Sequence, residues 1–134
     1  MTQMQAVYYR DSSGKEPVSE FIDLLVPTSA QVAVDNQVHR LNMLRTTDPP
    51  LPFPYSSQVE GELRELRCHY GKTLYRMLYR RSRSLFILLH AFEKRTGAIP
   101  EGEKEIARRR WDDYVIRMNT VRRSPPRAAG HDAP

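Results

Sequence analysis

Arginine and histidine occur in the middle of this chain at a spacing that suits phosphoester chemistry. Arg67 and His69 lie two positions apart within residues 63–70, where the period of two is typical of a strand, so both side chains project from one face. Arg76 lies in the next segment of that period, residues 73–80. Whether Arg76 shares the face depends on the strand register, which a sequence does not fix.

Cleavage of RNA can use the 2′-hydroxyl of the substrate as the nucleophile. The enzyme then supplies a proton acceptor, a proton donor and positive charge for the phosphate. Histidine titrates near neutral pH, and arginine and lysine stabilise phosphate charge. Lys94 and Arg95 follow the third strand and add to these candidate catalytic residues. The alternative is a charged sheet face that is only solvated, and the residues alone leave both interpretations open.

The positive charge is concentrated in the same region of the chain. The formal net charge of the whole chain is +5, and residues 61–95 hold nine basic and three acidic residues. A basic segment of this kind is typical of a protein with a polyanionic partner. Four further residues of the segment are candidates for RNA binding: Arg64, Lys72, Arg80 and His90.

The sequence offers no recognisable set of metal ligands. HExxH and CxxC motifs and a glycine-rich phosphate loop are absent, and the single cysteine, Cys68, excludes an internal disulfide framework. The four histidines also lack the spacing of a ligand set: His39, His69, His90 and His131. We therefore expect neither a metal nor a cofactor.

The sequence also predicts a cytoplasmic location without membrane contact. No apolar run approaches the roughly 20 residues that a membrane-spanning helix needs. The N-terminus lacks a basic segment followed by an apolar one, which a secretion signal would have.

The first third of the chain predicts one strand and two helices. Residues 5–10 are rich in strand formers, and helical spacing of apolar residues follows over residues 17–26 and 28–45. The two helices would form an antiparallel hairpin. Thr28 and Gln31 have the spacing of a capping box at the start of the second helix.

The rest of the chain predicts a loop, a sheet and a final helix. Residues 46–58 contain four prolines, which favours a connecting loop. Three strands joined by tight turns follow at residues 63–70, 73–80 and 85–90 and would form an antiparallel meander. Pro100 opens a last helix, in which Glu101, Glu103 and Glu105 complement the helix dipole.

These elements predict an α+β fold, in which an N-terminal strand and a helix hairpin pack on a small antiparallel sheet with a C-terminal helix. The expected domain covers residues 1–119. From residue 120 the composition turns to Arg, Ser, Pro, Ala and Gly, so we expect a disordered basic tail over residues 120–134.

Two groups of motifs resemble a known family. GELRELR at residues 61–67 and YRMLY at residues 75–79 resemble the "LRELR … YRvlY" core of HigB-like toxins in the RelE/ParE superfamily. LLHAFEKRT at residues 88–96, followed by Pro100 and Ile106-Ala107, is similar to the end of that family's pattern. The resemblance covers about residues 5–117 and implies the RelE-like fold.

The resemblance also implies a function and a set of site residues. It implies an endonuclease that cleaves mRNA on the translating ribosome and is neutralised by an antitoxin, here a HigA-like helix-turn-helix protein. The arginine of the "YR" motif corresponds to Arg76, and the basic position nine residues earlier corresponds to Arg67. His69 is the next outward position on that strand. Lys94 and Arg95 correspond to the basic pair after the last strand.

The chain departs from the RelE pattern at one position. In RelE a tyrosine shortly after the basic pair stacks on a base, whereas residues 99–102 here are Ile, Pro, Glu and Gly. His69 or His90 would then transfer the proton. We rank His69 first, because a histidine that closes an apolar strand, as His90 does, is more often packed and hydrogen-bonded.

Three functions follow from these observations. The first is an mRNA endonuclease toxin of a type II toxin–antitoxin system, which inhibits translation. The second is a non-nucleolytic inhibitor such as a ParE-like gyrase poison, and the third is an inactive, phage-derived module that binds a protein. The ordered cations favour the first function, because a protein-binding inhibitor needs no such cluster, and the missing tyrosine favours the third.

Overall fold

A five-stranded mixed sheet forms the centre of the molecule. The computed structural model describes residues 2–93, 97–119 and 126–130. Three helices surround the sheet within these residues. In chain order the elements are β1 (Gln5–Tyr8), α1 (Pro17–Asp23), α2 (Thr28–Asn42), β2 (Ser56–Glu60), β3 (Leu63–Tyr70), β4 (Thr73–Ser82), β5 (Leu85–Glu93) and α3 (Glu101–Met118).

The strand order in the sheet is β1-β5-β4-β3-β2. β2 to β5 pair with their neighbours in antiparallel fashion, so the predicted meander is confirmed. β1 pairs with β5 in parallel, and the chain between them forms the helix hairpin and then β2, β3 and β4. The expected α+β architecture is therefore confirmed, but the sheet is mixed and not purely antiparallel.

The two faces of the sheet bury separate apolar clusters. Leu66 and Met77 point to the face that α1 and α2 cover, where Val18 and Val38 complete the packing. Leu78 points to the other face, which α3 covers. On that second face Ala107 and Tyr114 of α3 are buried, and Trp111 packs at the margin of the cluster.

β2 is an element that the sequence did not reveal. The four prolines do form an irregular segment, but Ser56–Glu60 then adds a strand at the edge of the sheet. Its sequence, SSQVE, is polar and lacks a clear period, because β2 pairs with β3 alone and is only partly covered. The other bounds differ modestly, since α2 ends at Asn42 while β4 and β5 continue to Ser82 and Glu93.

The predicted capping box at the start of α2 is wrong. Pro27 occupies the N-cap position, and its side chain makes no capping hydrogen bond. The amide of Gln31 instead donates to the carbonyl oxygens of Asp23 and Leu25, at 3.2 and 2.9 Å. Gln31 therefore links α2 back to the end of α1.

Part of the expected tail packs on the fold. Tyr8 N donates to Arg127 O at 2.9 Å, Ala129 N donates to Ala6 O at 2.8 Å, and Ala129 is buried. The described residues 126–130 thus cover the outer edge of β1, where the composition predicted disorder. Residues 120–125 and 131–134 lie outside the described part of the chain.

Candidate active site on the sheet

The strand register answers the question that the sequence left open. Arg67 of β3 and Arg76 of β4 are direct cross-strand partners, so both side chains project from the same face of the sheet. This face is the one that α3 partly covers, since Leu78, two positions along β4 from Arg76, belongs to the α3-side cluster. Two arginines are therefore adjacent on a largely buried surface.

A buried carboxylate holds the two arginines together. Glu65 is 6% exposed, and its Oε1 lies 3.4 Å from Nε of Arg76, while its Oε2 accepts a hydrogen bond from Arg67 at 3.4 Å. Ser57 of β2 donates to the same Oε2 at 2.6 Å. One negative charge thus offsets part of two positive charges, which reduces the repulsion between the guanidiniums.

Each arginine has one further contact in addition to Glu65. Arg76 is 5% exposed and donates to the carbonyl oxygen of Gly97 at 2.9 Å. The guanidinium carbon of Arg67 lies 5.0 Å from the centre of the Phe53 ring. The ion pairs with Glu65 hold both guanidiniums in place before any ligand arrives, which lowers the entropy cost of ordering them around an anion.

An open cleft of about 290 Å³ lies beside this cluster. Its lining includes Glu65, Arg67, Arg76 and Lys104, together with residues 97–99. Three cationic groups and one carboxylate give the lining a net positive charge. The cleft is therefore suited to an anionic group such as a phosphate.

Lys104 reaches the cleft because α3 is tied to the edge of the sheet. Arg108 donates to both carboxylate oxygens of Glu60 on β2, at 2.6 and 2.8 Å. The hydrogen bond from Arg108 lowers the pKa of Glu60, which keeps this link ionised over a wide pH range. The first turn of α3, which carries Lys104, is thereby placed next to β2 and β3.

His69 is exposed at the outer end of β3, on the same face as Arg67. Its cross-strand partner is Leu74. Among the described residues that line the cleft, His69 does not occur. It thus lies beside the arginine cluster and is open to solvent, where a bound polymer chain can reach it.

His90 is engaged in a network with α3. Its Nε2 lies 2.8 Å from Oε1 of Glu103, and its Nδ1 lies 3.3 Å from a guanidinium nitrogen of Arg110. Burial lowers the pKa of His90, although the hydrogen bond with Glu103 opposes that shift. His90 therefore acts as a neutral imidazole that links β5 to α3, which is a structural role.

The other predicted RNA-binding residues do not gather at the cleft. Arg64 lines a separate pocket beside the proline-rich loop and donates to Leu51 O at 3.0 Å. Arg80 lies over the Trp111 ring at 4.3 Å and pairs with Glu62. Lys72 is exposed in the turn between β3 and β4. The predicted catalytic residues Lys94 and Arg95 lie outside the described residues.

The sequence did not single out Glu65 or Lys104 as site residues. Glu65 shares the period of two with Arg67 and His69, so its place on their face was visible in the sequence. A carboxylate two positions from an arginine on one strand face was the available signal. Lys104 carried no such signal, because its approach to the cleft depends on how α3 docks.

The described residues lack both a metal-ligand cluster and a membrane-spanning helix. No group of three or more His, Cys, Asp or Glu side chains is placed to hold a metal ion there. Of the helices in that part of the chain, none combines the length and hydrophobicity that a membrane crossing requires.

The fold and the cleft define a class of protein: a small α+β domain with a cationic cleft between a mixed sheet and a C-terminal helix. The model of the family described as phage derived protein Gp49-like (DUF891) matches residues 25–112, more than half of the chain, so this protein belongs to that family. The family is part of the RelE/HigB-like toxin superfamily, and the arrangement of strands and helices is consistent with a RelE-like fold. A comparison with curated proteins found no match.

Proposed function

We propose that this protein is the toxin of a type II toxin–antitoxin system, a metal-independent endonuclease that cleaves mRNA on the ribosome and so inhibits translation. The observation that carries the proposal is the pairing of Arg67 with Arg76 across β3 and β4, with Glu65 between them. Membership of a toxin-like family supports the same function. A partner antitoxin of the HigA-like type would neutralise the toxin.

In the proposed reaction the cleft binds the scissile phosphate. Arg67, Arg76 and Lys104 stabilise the charge that develops on the phosphoryl oxygens, while Glu65 keeps the arginines in position. The 2′-oxygen of the substrate forms a bond to phosphorus, and the bond from phosphorus to the 5′-oxygen breaks. The 2′-hydroxyl loses its proton, and the leaving oxygen gains one, so the products are a cyclic phosphate and a 5′-hydroxyl.

The proton transfers need a group that can both accept and donate a proton and that the substrate can reach. His69 is our candidate, because it is exposed on the same strand face as Arg67. His90 is less suited to the role, since both of its ring nitrogens already have partners in Glu103 and Arg110. Lys94 and Arg95 remain proposed contributors of charge.

Controlled expression tests the proposal in bacterial cells. Induction of the chain alone should arrest growth and translation, and sequencing of mRNA ends should reveal new breaks inside translated regions. Arg76→Ala should abolish both effects, whereas Arg109→Ala, at an exposed position on α3, should keep them. Normal growth and intact mRNA at verified levels of soluble, unmodified protein would contradict the proposal.

Purified components test the chemistry. The protein should cleave mRNA bound to programmed ribosomes, and the downstream fragment should accept phosphate from a polynucleotide kinase without prior treatment, because it begins with a 5′-hydroxyl. A chelator at concentrations that leave ribosomes intact should not stop the reaction. If activity disappears with the chelator and returns with a divalent ion, the metal-independent mechanism is wrong.

A further inference from the structure

We propose that Phe53 is a base-stacking residue, whose exposed ring holds a nucleobase of the RNA next to the phosphate bound by Arg67. This inference rests on the proposed function and adds a substrate-positioning site to it. The site lies in the proline-rich segment, outside the strands that carry the arginines.

The Phe53 ring lies beside the guanidinium of Arg67. The Phe53 ring centre lies 5.0 Å from the guanidinium carbon of Arg67, and the same guanidinium donates to Glu65 at 3.4 Å. Arg67 therefore lies between the carboxylate of the cleft and the aromatic ring. A nucleotide whose phosphate contacts Arg67 would have its base within reach of Phe53.

The Phe53 ring is also exposed to solvent. Phe53 is 68% exposed, so much of its surface is open to a ligand. A single exposed apolar residue is ordinary on a protein surface. Phe53 differs because it is aromatic and lies next to Arg67. Among the exposed large hydrophobic residues of the described part of the chain, Phe53 and Tyr55 are the aromatic ones, and Tyr55 packs under Arg40 at 4.2 Å. Phe53 is thus the exposed ring beside the arginine cluster.

The backbone around Phe53 is held in place by its neighbours. Phe53 stands between Pro52 and Pro54, and the following turn is closed by hydrogen bonds from Tyr55 N and Ser56 N to Pro52 O at 3.0 and 3.1 Å. Arg67 N donates to Tyr55 O at 2.8 Å, which fastens the end of the segment to β3. A backbone that is held in place before binding lowers the entropy cost of ordering the ring when a base stacks on it.

An aromatic platform beside a cation is a common device for holding unpaired nucleotides. Every base has a π-face, so stacking on phenylalanine tolerates many sequences, while the neighbouring cation holds the backbone. An mRNA strand near a cleavage site is single-stranded and offers both groups. The combination of Phe53 and Arg67 matches this chemistry.

Three substitutions at one position separate stacking from simple packing. Phe53→Ala should raise KM for ribosome-bound mRNA by about 10-fold, with kcat changed much less, since stacking in the ground state contributes to binding. Phe53→Trp should retain wild-type KM. Phe53→Leu keeps apolar volume but lacks a π-face, so it should resemble Phe53→Ala. Ile116→Ala, at a position of similar exposure on α3, is the matched control and should have no effect.

A binding experiment gives a second readout that does not depend on cleavage. The probe is a fluorescent single-stranded RNA oligonucleotide with a 2′-deoxy residue at the cleavage site, compared with a version that lacks the base next to that site. The wild type should lose about 10-fold in affinity on removal of the base, whereas Phe53→Ala should lose little, because the stacking partner is already absent.

Thermal unfolding first verifies that each variant is folded. The inference is overturned if Phe53→Ala keeps wild-type KM, if Phe53→Leu binds as well as Phe53→Trp, or if the missing base weakens the wild type and Phe53→Ala equally. In each case a wild type that still cleaves mRNA leaves the proposed function intact. A wild type that neither binds nor cleaves RNA overturns both proposals.

Discussion

Arg67 and Arg76 face each other across two antiparallel strands, and the carboxylate of Glu65 contacts both guanidiniums at 3.4 Å. Like charges directly opposite on a sheet destabilise it, and burial strengthens their repulsion. Glu65 and the carbonyl of Gly97 offset that cost at this position. A sheet that tolerates two adjacent arginines, Arg76 buried and Arg67 half-buried, keeps a preorganised site for negative charge.

Removal of either arginine should slow cleavage strongly. Arg76→Ala and Arg67→Ala should each reduce the single-turnover rate on ribosome-bound mRNA by roughly 10²-fold, the usual effect of losing one donor to the transition state. Arg109→Ala, on the exposed side of α3, serves as the control for the loss of one positive charge. Equal rates for all three folded variants would mean that the arginines are not part of the active site.

Neutralisation of Glu65 should affect both stability and activity. Glu65→Gln keeps the size of the side chain but leaves Arg76 buried without its counter-charge, which should lower the free energy of unfolding by about 3 kcal/mol. Denaturant titration measures this change. Glu62→Gln, at an exposed acid on the neighbouring turn, should cost much less. A Glu65→Gln protein as stable as the wild type would show that the carboxylate does not hold the pair.

Substitution of His69 should change how the rate depends on pH. His69→Ala should be slow and should flatten the pH–rate profile, because His69 is the group proposed to move the proton. His90→Gln is the comparison, because His90 is bound to Glu103 and should leave the shape of the profile unchanged. A His69→Ala profile with the wild-type shape would assign the proton transfer to another group.

His90 should make the stability of the fold depend on pH. Burial lowers the pKa of His90 below its ordinary value of 6.5, against the opposing hydrogen bond with Glu103. The unfolded chain therefore takes up this proton at a higher pH than the folded chain does. The contribution of His90 to stability is complete above about pH 6.5 and is lost as the pH falls towards the folded-state pKa.

Denaturant midpoints measured from pH 8 to pH 5 check this expectation. The free energy of unfolding should fall over that range in the wild type and should fall less in His90→Gln, which cannot take up the proton. His69→Gln, at an exposed position, is the control and should follow the wild type. Identical curves for wild type and His90→Gln would contradict the burial argument.

Asn42 should be important for the attachment of the C-terminal segment. Its buried side chain accepts a hydrogen bond from Ala6 N at 2.7 Å and donates to Ala129 O at 2.8 Å. Asn42→Ala leaves Ala6 N without its side-chain acceptor, while Ala129 O keeps only the hydrogen bond from the Gln5 amide at 3.0 Å. The substitution should therefore lower the free energy of unfolding by about 2 kcal/mol. Asn119→Ala, exposed at the end of α3, is the control. Removal of residues 120–134 should also destabilise the fold, which thermal unfolding of the shortened chain would detect.

The sequence by itself determined the local structure and part of the site. The period of two in residues 63–70 placed Arg67 and His69 on one strand face, and the structure confirms this placement. Helical spacing identified α2 and α3, and the proline-rich segment was recognised as irregular. These features depend on the residues that lie next to one another in the chain, so a local pattern suffices to predict them.

Only the tertiary structure decided which distant residues meet. Whether Arg76 faces Arg67 depends on a register in which a shift by one residue would turn every side chain of β4 to the opposite face. The parallel pairing of β1, the edge strand β2, the approach of Lys104 to the cleft and the contact between Phe53 and Arg67 follow from the way the whole chain packs. Such contacts form because the whole chain buries its apolar faces while it pairs its backbone groups. A short stretch of sequence does not determine which distant residues then meet.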